Sequence, residues 1–391
     1  MTDVNDVNED DVIDKTITCW DDLDIKPELL RGIYAYGFEK PSPIQKQSIL
    51  PLLNGKDVLA QAQSGTGKTA CFTISSLHLV DVDINSTQTI IIAPTRELSY
   101  QIKNVVDDIG INIKKLKTQL LVGGTSTDND IKLLRENTPH IIIGCPGRIQ
   151  DMLRRKYINY NIKLLVLDEA DEMLSSGFKE QIYNIFQYLS NDIQIALFSA
   201  TIPSSLYALT DKFMRNPVKI IVKNEQLTLE GIKQYFVNLE DDNMKYDTLK
   251  DLFSIISVAQ CIIYCNSVKR VNDLYEAMAQ DDYPVCQIHS SLDKIDRQAN
   301  YDMFRRGDKR VLISSNVTAR GIDIQQVSTV INFDIPKCCS TYLHRIGRSG
   351  RWGRKGTAIN FITRRDVKNL KEIESFYDTQ ISELPTTFTG D

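Results

Sequence analysis

The stretch Ala62-Gln-Ser-Gly-Thr-Gly-Lys-Thr69 follows an apolar run at residues 58–60 and precedes a segment of helical period at residues 70–79. It fits the phosphate-binding pattern G-x-x-x-x-G-K-[ST], with Ala62 in the place of the first glycine. Gly65 and Gly67 allow backbone N–H groups to curl around phosphate oxygens at the start of a helix. A loop of this kind between a strand and a helix predicts an α/β sheet that binds ATP or GTP at the end of a strand.

The residue types in this loop predict individual roles. Lys68 is expected to reach the β- and γ-phosphates, and the Thr69 hydroxyl is expected to bind Mg²⁺. The whole loop is predicted to contact the nucleotide through Ala62, Gln63, Ser64, Gly65, Thr66, Gly67, Lys68 and Thr69.

Another apolar run ends in carboxylates, at Asp168-Glu-Ala-Asp171. Residues 163–167 predict a buried strand, and Asp168 follows at the end where α/β sheets bind ligands. Asp168 is expected to hold Mg²⁺, partly through water, and Glu169 is expected to orient and deprotonate the water that attacks the γ-phosphate. An acidic helix start is also a common cap, but the phosphate-binding loop on a neighbouring strand favours the catalytic interpretation.

Short apolar runs alternate with helical segments along the rest of the chain. They lie at residues 57–60, 89–93, 119–122, 140–144, 163–167, 194–198, 261–265, 285–289, 311–314, 327–332 and 356–362. Such runs predict parallel sheets covered on both faces, and two successive series predict two doubly wound domains of the α/β class. The expected divisions are an acidic, disordered tail at 1–18, a first domain at 19–222, a linker at 223–231 and a second domain at 232–391.

The composition excludes several classes of protein. Hydrophobic residues make up 42% of the chain and charged residues 25%, which is typical of soluble globular proteins. No apolar run approaches the ~18 residues that a membrane span needs, and acidic residues interrupt the N-terminus where a signal peptide would be apolar. The eight cysteines lack a metal-ligand spacing and are expected to be reduced thiols. We therefore expect a protein of the cytoplasm or nucleus without a membrane partner.

The net charge of −5 is unevenly distributed. Residues 1–14 contain acidic residues and no Lys or Arg, so the rest of the chain is close to neutral. Basic residues cluster between positions 345 and 365, and local positive charge, rather than net charge, favours phosphate binding. A basic stretch alone is weak evidence for a nucleic-acid partner.

These motifs together resemble those of the DEAD-box RNA helicases of superfamily 2, over residues 19–385. The resemblance implies two tandem RecA-like domains. Gly37-Phe-Glu-Lys-Pro-Ser-Pro-Ile-Gln45 is similar to the family's Q motif, which implies that Gln45 hydrogen-bonds the adenine edge, that Phe38 stacks on adenine and that ATP is preferred to GTP. Trp20 stands in the place of the family's isolated aromatic residue, and ordinary core packing explains it almost as well.

The resemblance also implies RNA-binding loops in both domains. Backbone groups and basic side chains in such loops bind sugar and phosphate without reading sequence. The implied contacts are Pro94, Thr95, Arg96, Gly123, Gly124, Pro146, Gly147 and Arg148 in the first domain, and Arg297, Ser314 and Ser315 in the second.

Further residues of the resemblance imply coupling between the domains. Ser199 and Thr201 resemble the motif that couples hydrolysis to strand separation through Asp171, and Arg348 and Arg351 resemble arginine fingers that reach the γ-phosphate. ATP and RNA would then each favour closure and the binding of the other. The remaining implied contacts are an interdomain bridge at Arg320, a ribose contact at Asp323 and an interdomain contact at His344.

Residues 31–41, 227–234 and 342–351 resemble the subfamily of translation initiation factor 4A beyond the shared helicase motifs. The resemblance implies an ATP hydrolase that unwinds or remodels short RNA duplexes locally in translation initiation, as a monomer that works with a protein scaffold. Two alternatives stay open. One is an ATP-locked RNA clamp similar to a nuclear relative of this factor. The other is a DNA helicase or remodelling ATPase, which the Q motif disfavours.

A few residues depart from the family pattern. Cys145 replaces a threonine before Pro146, Lys294 replaces a glutamine, and Ser315-Asn316 replaces Thr-Asp. None of them is a predicted catalytic residue. We therefore expect changed RNA affinity or domain coupling, with ATP hydrolysis retained.

Overall fold

The computed structural model describes residues 17–62, 65–175, 177–202, 204–221, 231–256, 259–316, 327–349, 356–385 and 388. Most of the predicted tail at 1–18 and of the predicted linker at 223–231 lies outside these residues. Within them, no helix has the length and apolarity that crossing a bilayer requires.

The first sheet contains seven strands: β1 (Val58–Gln61), β2 (Thr87–Ile92), β3 (Thr118–Leu121), β4 (Ile141–Gly144), β5 (Tyr160–Asp168), β6 (Gln194–Ser199) and β7 (Val218–Ile221). They pair in parallel in the order β3-β4-β2-β5-β6-β1-β7. Parallel pairing requires crossover connections, and the first domain has two helices before β1 and further helices that form these crossovers. Their bounds are α1 (Pro27–Ala35), α2 (Pro43–Leu53), α3 (Lys68–Leu79), α4 (Arg96–Ile109), α5 (Thr127–Glu136), α6 (Pro146–Arg154), α7 (Ala170–Ser175), α8 (Lys179–Tyr188) and α9 (Ser204–Phe213).

Both faces of this sheet are buried. Along β2, Ile91 packs with residues of α1 to α4 on one face. Its neighbours Ile90 and Ile92 pack with residues of α5 to α9 on the other. Because side chains alternate along a strand, a strand buried on both faces is apolar at every position. This explains the continuous apolar runs of the sequence.

The second sheet has the same construction. Its strands are β8 (Ile232–Asn238), β9 (Cys261–Tyr264), β10 (Val285–Ile288), β11 (Val311–Ser314), β12 (Thr329–Asn332), β13 (Gly356–Ile362) and β14 (Ser382–Glu383). They pair in parallel in the order β10-β11-β9-β12-β13-β8-β14. The helices are α10 (Met244–Ile255), α11 (Val268–Gln280), α12 (Lys294–Arg306), α13 (Cys339–Ile346) and α14 (Val367–Tyr377). Residues of α10 and α11 pack on one face, and residues of α12, α13 and α14 pack on the other.

The predicted α/β class with two doubly wound parallel sheets is confirmed. The strands β7, β8 and β14 were not among the predicted runs. They lie at or next to a sheet edge, where polar residues such as Lys233 and Lys219 interrupt the apolar pattern. At the N-terminus, Ile17 is buried in the core of the first domain, although it lies within the range predicted as a tail.

Candidate active site

The loop after β1 turns sharply into α3. Gly65 and Gly67 have φ angles of +84° and +98°, and Gly67 caps α3, whose first residue is Lys68. A Cβ on Gly67 would lie 2.5 Å from Gln45 Nε2, so a larger residue there would displace that side chain. The first N–H groups of a helix lack an intrahelical acceptor, which is the arrangement that suits phosphate. The predicted contacts Gln63 and Ser64 lie outside the described residues.

The Q motif packs directly on this loop. Gln45 Nε2 donates to the Gly67 carbonyl at 3.3 Å, and its Oε1 accepts from Ser42 N at 2.7 Å. Ser42 Oγ donates to the Thr66 carbonyl at 2.8 Å. Phe38 lies 6.2 Å, between ring centroids, from the fully buried Trp20. The adenine contacts stay predictions, and the structure adds a direct link from the Q motif to the phosphate-binding loop.

The carboxylates of the second motif are buried beside Lys68. Asp168 is the last residue of β5, and Glu169 follows it with a left-handed φ of +53°. Lys68 Nζ lies 3.5 Å from Glu169 Oε1. Lys68, Asp168 and Glu169 are each 5% exposed or less. The two sequence motifs therefore meet in one buried site. The prediction that their strands are neighbours is wrong, because β6 lies between β1 and β5 in the sheet. Both strands are parallel, so their carboxyl ends still lie at the same edge.

Burial raises the pKa of the Asp168 carboxyl, and the negative charges of Glu169 and Asp171 raise it further, against the opposing charge of Lys68 and a backbone hydrogen bond. A divalent cation at this carboxylate would favour its charged form, and oxygen ligands are those that Mg²⁺ prefers. The half-buried Thr69 is the second residue of α3 and supplies a hydroxyl next to Lys68. The donor set therefore fits Mg²⁺, with Thr69 and Asp168 as the predicted ligands.

Asp171 is shared between the two domains. Thr201 Oγ1 donates to Asp171 Oδ2 at 2.7 Å, and Asp171 N donates to Ser199 Oγ at 3.3 Å. From the second domain, His344 Nε2 lies 3.7 Å from Asp171 Oδ2. Side-chain atoms of Glu169, Asp171 and His344 all lie within 4.8 Å of one another. The second domain therefore completes a buried cluster that contains the predicted catalytic base.

The helix that carries His344 is fixed by a buried arginine. Arg345, fully buried, donates to the side-chain oxygens of Asn266, Asn316 and Asn332 and to the carbonyl of Asp334. Sequence reasoning missed these acceptors, because they come from separate loops and strands. Arg348 is 4% exposed, and its Nε donates to the His344 carbonyl at 3.2 Å. The predicted residues Arg320, Asp323 and Arg351 lie outside the described part of the chain.

The three predicted RNA-facing loops of the first domain lie next to one another. Thr95 Oγ1 caps α4 by accepting from Leu98 N at 3.3 Å, which fixes the loop that begins at Pro94. A Cβ on Gly123 would lie 3.6 Å from Arg96 Nη2, so the Arg96 side chain lies beside the Gly123 loop. Arg148 turns inward, where it forms an ion pair with Asp130.

The predicted RNA contacts of the second domain have other partners in this structure. Arg297 Nε lies 2.8 Å from Glu97 Oε1 of the first domain. One helical turn along both α4 and α12, Gln101 Nε2 donates to Tyr301 Oη at 3.1 Å. Ser314 is fully buried and donates to the Ile288 carbonyl at 2.6 Å, and Ser315 is 9% exposed. Arg297 thus links the domains here, and the hydroxyl of Ser314 lies inside the sheet.

Two of the departures from the family pattern have clear surroundings. Cys145 Sγ lies 3.7 Å from Ser99 Oγ, and burial raises the pKa of its thiol to about 11. Asn316 Oδ1 accepts from Arg345 Nε at 2.9 Å and from Nη2 at 2.6 Å. The neutral amide of Asn316 therefore accepts two hydrogen bonds from the buried guanidinium of Arg345. The Lys294 side chain lies outside the described atoms.

Two protein families match the sequence. The DEAD/DEAH box helicase family matches residues 42–209, and the helicase conserved C-terminal domain matches residues 244–353. An "ATP-dependent RNA helicase eIF4A" of Lodderomyces elongisporus is 51% identical, over 95% of this chain and 94% of that protein. The chain belongs to the DEAD-box helicase family. The "Eukaryotic initiation factor 4A" of Caenorhabditis elegans is 48% identical to this helicase, over 98% of each chain.

A solved structure resembles the arrangement of both domains. Dbp5 of S. cerevisiae bound to RNA and ADP BeF3 superposes on this helicase with a TM-score of 0.87, at 36% identity, over 94% of this chain and 96% of that one. The predictions of a DEAD-box ATP-dependent RNA helicase similar to initiation factor 4A, with two RecA-like domains, are confirmed. The named initiation-factor relatives favour this function over the ATP-locked clamp.

Proposed function

We propose that this helicase hydrolyses ATP when RNA draws its domains together, and that it thereby separates short RNA duplexes locally during translation initiation. The observation that carries the proposal is Asp171. Its carboxylate accepts from Thr201 of its own domain and faces His344 of the other, within 4.8 Å of the Glu169 carboxylate. Closure of the domains and assembly of the hydrolytic centre are therefore the same event.

Hydrolysis rests on residues of both domains. Lys68 binds the β- and γ-phosphates, and Glu169 orients and deprotonates the attacking water. Mg²⁺, when bound by Thr69 and Asp168, supplies neutralisation of charge on the triphosphate oxygens. Arg348 and Arg351 approach the γ-phosphate from the second domain, so turnover needs the closed arrangement.

ATP selectivity follows from the Q motif. An amide that both donates and accepts distinguishes the adenine edge from the guanine edge. Because Gln45 also donates to the Gly67 carbonyl, the residue that reads the base touches the loop that binds the phosphates. A nucleotide with the wrong base would disturb both contacts.

RNA binding is proposed for the neighbouring loops that contain Pro94 to Arg96, Gly123 and Gly124, and Pro146 to Arg148. Such loops bind the sugar–phosphate backbone of single strands or short duplexes through backbone N–H groups, without sequence preference. The named relatives are initiation factors, which supports action in the cytoplasm. We propose that the helicase works there as a monomer on a protein scaffold.

The first experiment replaces the proposed base. Glu169→Gln keeps the shape of the side chain and removes its basicity, so we expect RNA-stimulated ATP turnover to fall by about 10²- to 10⁴-fold. ATP and RNA affinities, measured by fluorescence titration, should stay within about twofold. The reason is that Gln has the size of Glu and keeps an acceptor oxygen at the same position. The matched control is Glu180→Gln on the exposed start of α8, which should hydrolyse ATP normally. Near-wild-type turnover of Glu169→Gln would reject the assignment of the base.

A second experiment tests the nucleic acid. ATPase stimulation by single-stranded RNA is compared with stimulation by DNA of the same sequence, because the 2′-hydroxyl is the group that differs. We expect stimulation by RNA alone, and equal stimulation by both would reject RNA specificity. Addition of Glu169→Gln protein to a translating lysate then tests the pathway, since an inactive factor that still binds its partners should inhibit initiation.

A further inference from the structure

Asp130 is a buried carboxylate that neither the nucleotide site nor the interdomain contacts use. It lies on α5 and is 4% exposed. It forms an ion pair with Arg148 and accepts a hydrogen bond from Thr125 Oγ1 at 3.1 Å. Gln119 Nε2 donates to its backbone carbonyl at 3.2 Å. A carboxylate removed from water in this way is retained only when its partners satisfy it.

Arg148 connects two loops. It belongs to the segment after β4, whereas Thr125 belongs to the segment after β3. Arg148 Nη1 donates to Thr125 Oγ1 at 3.2 Å, and Nη2 donates to the Thr125 carbonyl at 3.0 Å. The Arg148 side chain is only 10% exposed. Its guanidinium is therefore engaged inside the protein, and its position is set by Asp130 and Thr125.

The groups that this network leaves exposed are the neighbouring glycines. Gly124 and Gly147 are both exposed, and Gly124 has a φ of +81°. Among the described residues, apart from its chain neighbours and the backbone of its own helix, no atom lies within 4 Å of the position that a Cβ on Gly147 would take. The backbone at these two glycines is therefore open to a ligand, whereas the Arg148 side chain is buried.

We propose that Asp130 is a positioning residue for RNA, which acts through Arg148 to fix the spacing of the Gly123–Thr125 and Pro146–Arg148 loops. The inference rests on the proposed function, in which these loops bind the sugar–phosphate backbone. In this proposal Arg148 does not bind a phosphate itself. It acts as a brace, which here means that it fixes the distance between the two loops whose backbone N–H groups bind RNA. Both loops must match successive phosphates of one strand, so a loss of their spacing weakens both contacts at once.

The test uses two conservative variants of the full chain. Asp130→Asn keeps an acceptor and removes the charge, and Arg148→Lys keeps the positive charge but lacks the planar fork that reaches Asp130 and both Thr125 atoms together. We expect each variant to raise the RNA concentration for half-maximal ATPase by about tenfold, through loss of charge-assisted hydrogen bonds. The rate at saturating RNA should stay within about twofold, because the ATP site is unchanged.

A matched control separates the brace from general electrostatics. Asp128→Asn makes the same charge change on the exposed side of the same helix. A less negative surface alone should leave RNA affinity unchanged or slightly stronger. The double variant Asp130→Asn/Arg148→Lys should be no weaker than either single variant, since both break the same network.

The dependence of RNA affinity on salt gives an independent readout. This readout uses Arg148→Gln, because Arg148→Lys keeps its charge. Loss of a charged phosphate ligand lowers the slope of log K against log salt by about 0.7 for a single strand, whereas loss of a positioning contact leaves the number of phosphate contacts unchanged. An unchanged slope with weaker binding supports the proposal. Tighter or wild-type RNA binding in Asp130→Asn, additive effects in the double variant, or a lowered slope would each overturn it. If wild-type ATPase shows no RNA stimulation, the proposed function fails together with this inference; a failure confined to the variants affects the inference alone.

Discussion

Replacement of Asn316 by Asp tests how strongly the second domain holds its buried arginine. Arg345 is fully buried, and burial lowers its pKa to about 10. Its acceptors are the side chains of Asn266, Asn316 and Asn332 and the carbonyl of Asp334, and all of them are neutral. The cost of removing the guanidinium from water is therefore offset by hydrogen bonds without a charged partner.

The expected gain follows from the geometry at position 316. Its side-chain oxygen accepts from Arg345 Nε at 2.9 Å and Nη2 at 2.6 Å. These bonds are already charge-assisted, because the donor is a guanidinium, and Asp there would convert them into an ion pair with two hydrogen bonds. Residue 316 is exposed, so a carboxylate keeps part of its hydration. We expect a stabilisation of about 1–2 kcal/mol, after subtraction of about 1 kcal/mol for partial desolvation.

The assay is thermal unfolding of the full chain by calorimetry, which separates transitions of the two domains. A gain of this size raises the midpoint of the second domain by about 2–4 °C per kcal/mol. Arg345 would lower the pKa of the new carboxyl in the folded state, so the gain is fully present above its unfolded pKa of about 4 and is lost as the pH falls below that value.

Two controls frame this result. Asn316→Ala removes the acceptor and should lower the midpoint. Asn272→Asp, a half-buried change of the same type on α11, should alter stability by less than about 0.5 kcal/mol. If Asn316→Asp destabilises the second domain, or changes it no more than Asn272→Asp does, the neutral acceptors already satisfy Arg345 and the reasoning is wrong.

Other changes test the nucleotide loop, the coupling and the domain contact. Gly67→Ala places a Cβ 2.5 Å from Gln45 Nε2, so ATP affinity in a titration should fall at least about tenfold; an unchanged affinity would show that the loop adapts. Thr201→Val removes the hydrogen bond to the Asp171 carboxylate and should slow duplex unwinding more than ATP hydrolysis. Equal losses of both activities would reject a role of Thr201 in coupling hydrolysis to unwinding. Glu97→Arg should weaken the cooperativity of ATP and RNA about threefold or more, and Arg297→Glu added to it should restore part, unless Arg297 binds RNA instead.

The fold could be predicted wherever a strand is buried on both faces. Ile90, Ile91 and Ile92 form a continuous apolar run because the two faces of β2 pack on different helices. The edge strands gave no such run. In β8, Lys233 is exposed between buried Ile232 and Gln234, and the two residues of β14 are both exposed, so neither segment reads as a core strand.

The site could be predicted where chemistry demands adjacent residue types. Lys68 and Glu169 belong to motifs whose spacing follows from phosphate binding, and the structure places them 3.5 Å apart. The contacts of Asp130 and Asn316 could not be found in this way. Each contacts an arginine 18 or 29 positions away, and such pairs depend on where loops meet in space, which no local pattern records.

The contact between Asp171 and His344 also means that the proposed catalytic centre would form by association of two parts of one chain. Residues 223–231, the predicted linker, join the two halves in the sequence, and a linker of this length would maintain an effective concentration on the order of millimolar. Separately produced halves would meet only at their bulk concentration. A longer linker lowers this effective concentration. An insertion in the linker should therefore lower the rate of ATP turnover, although no residue that contacts ATP or RNA is changed.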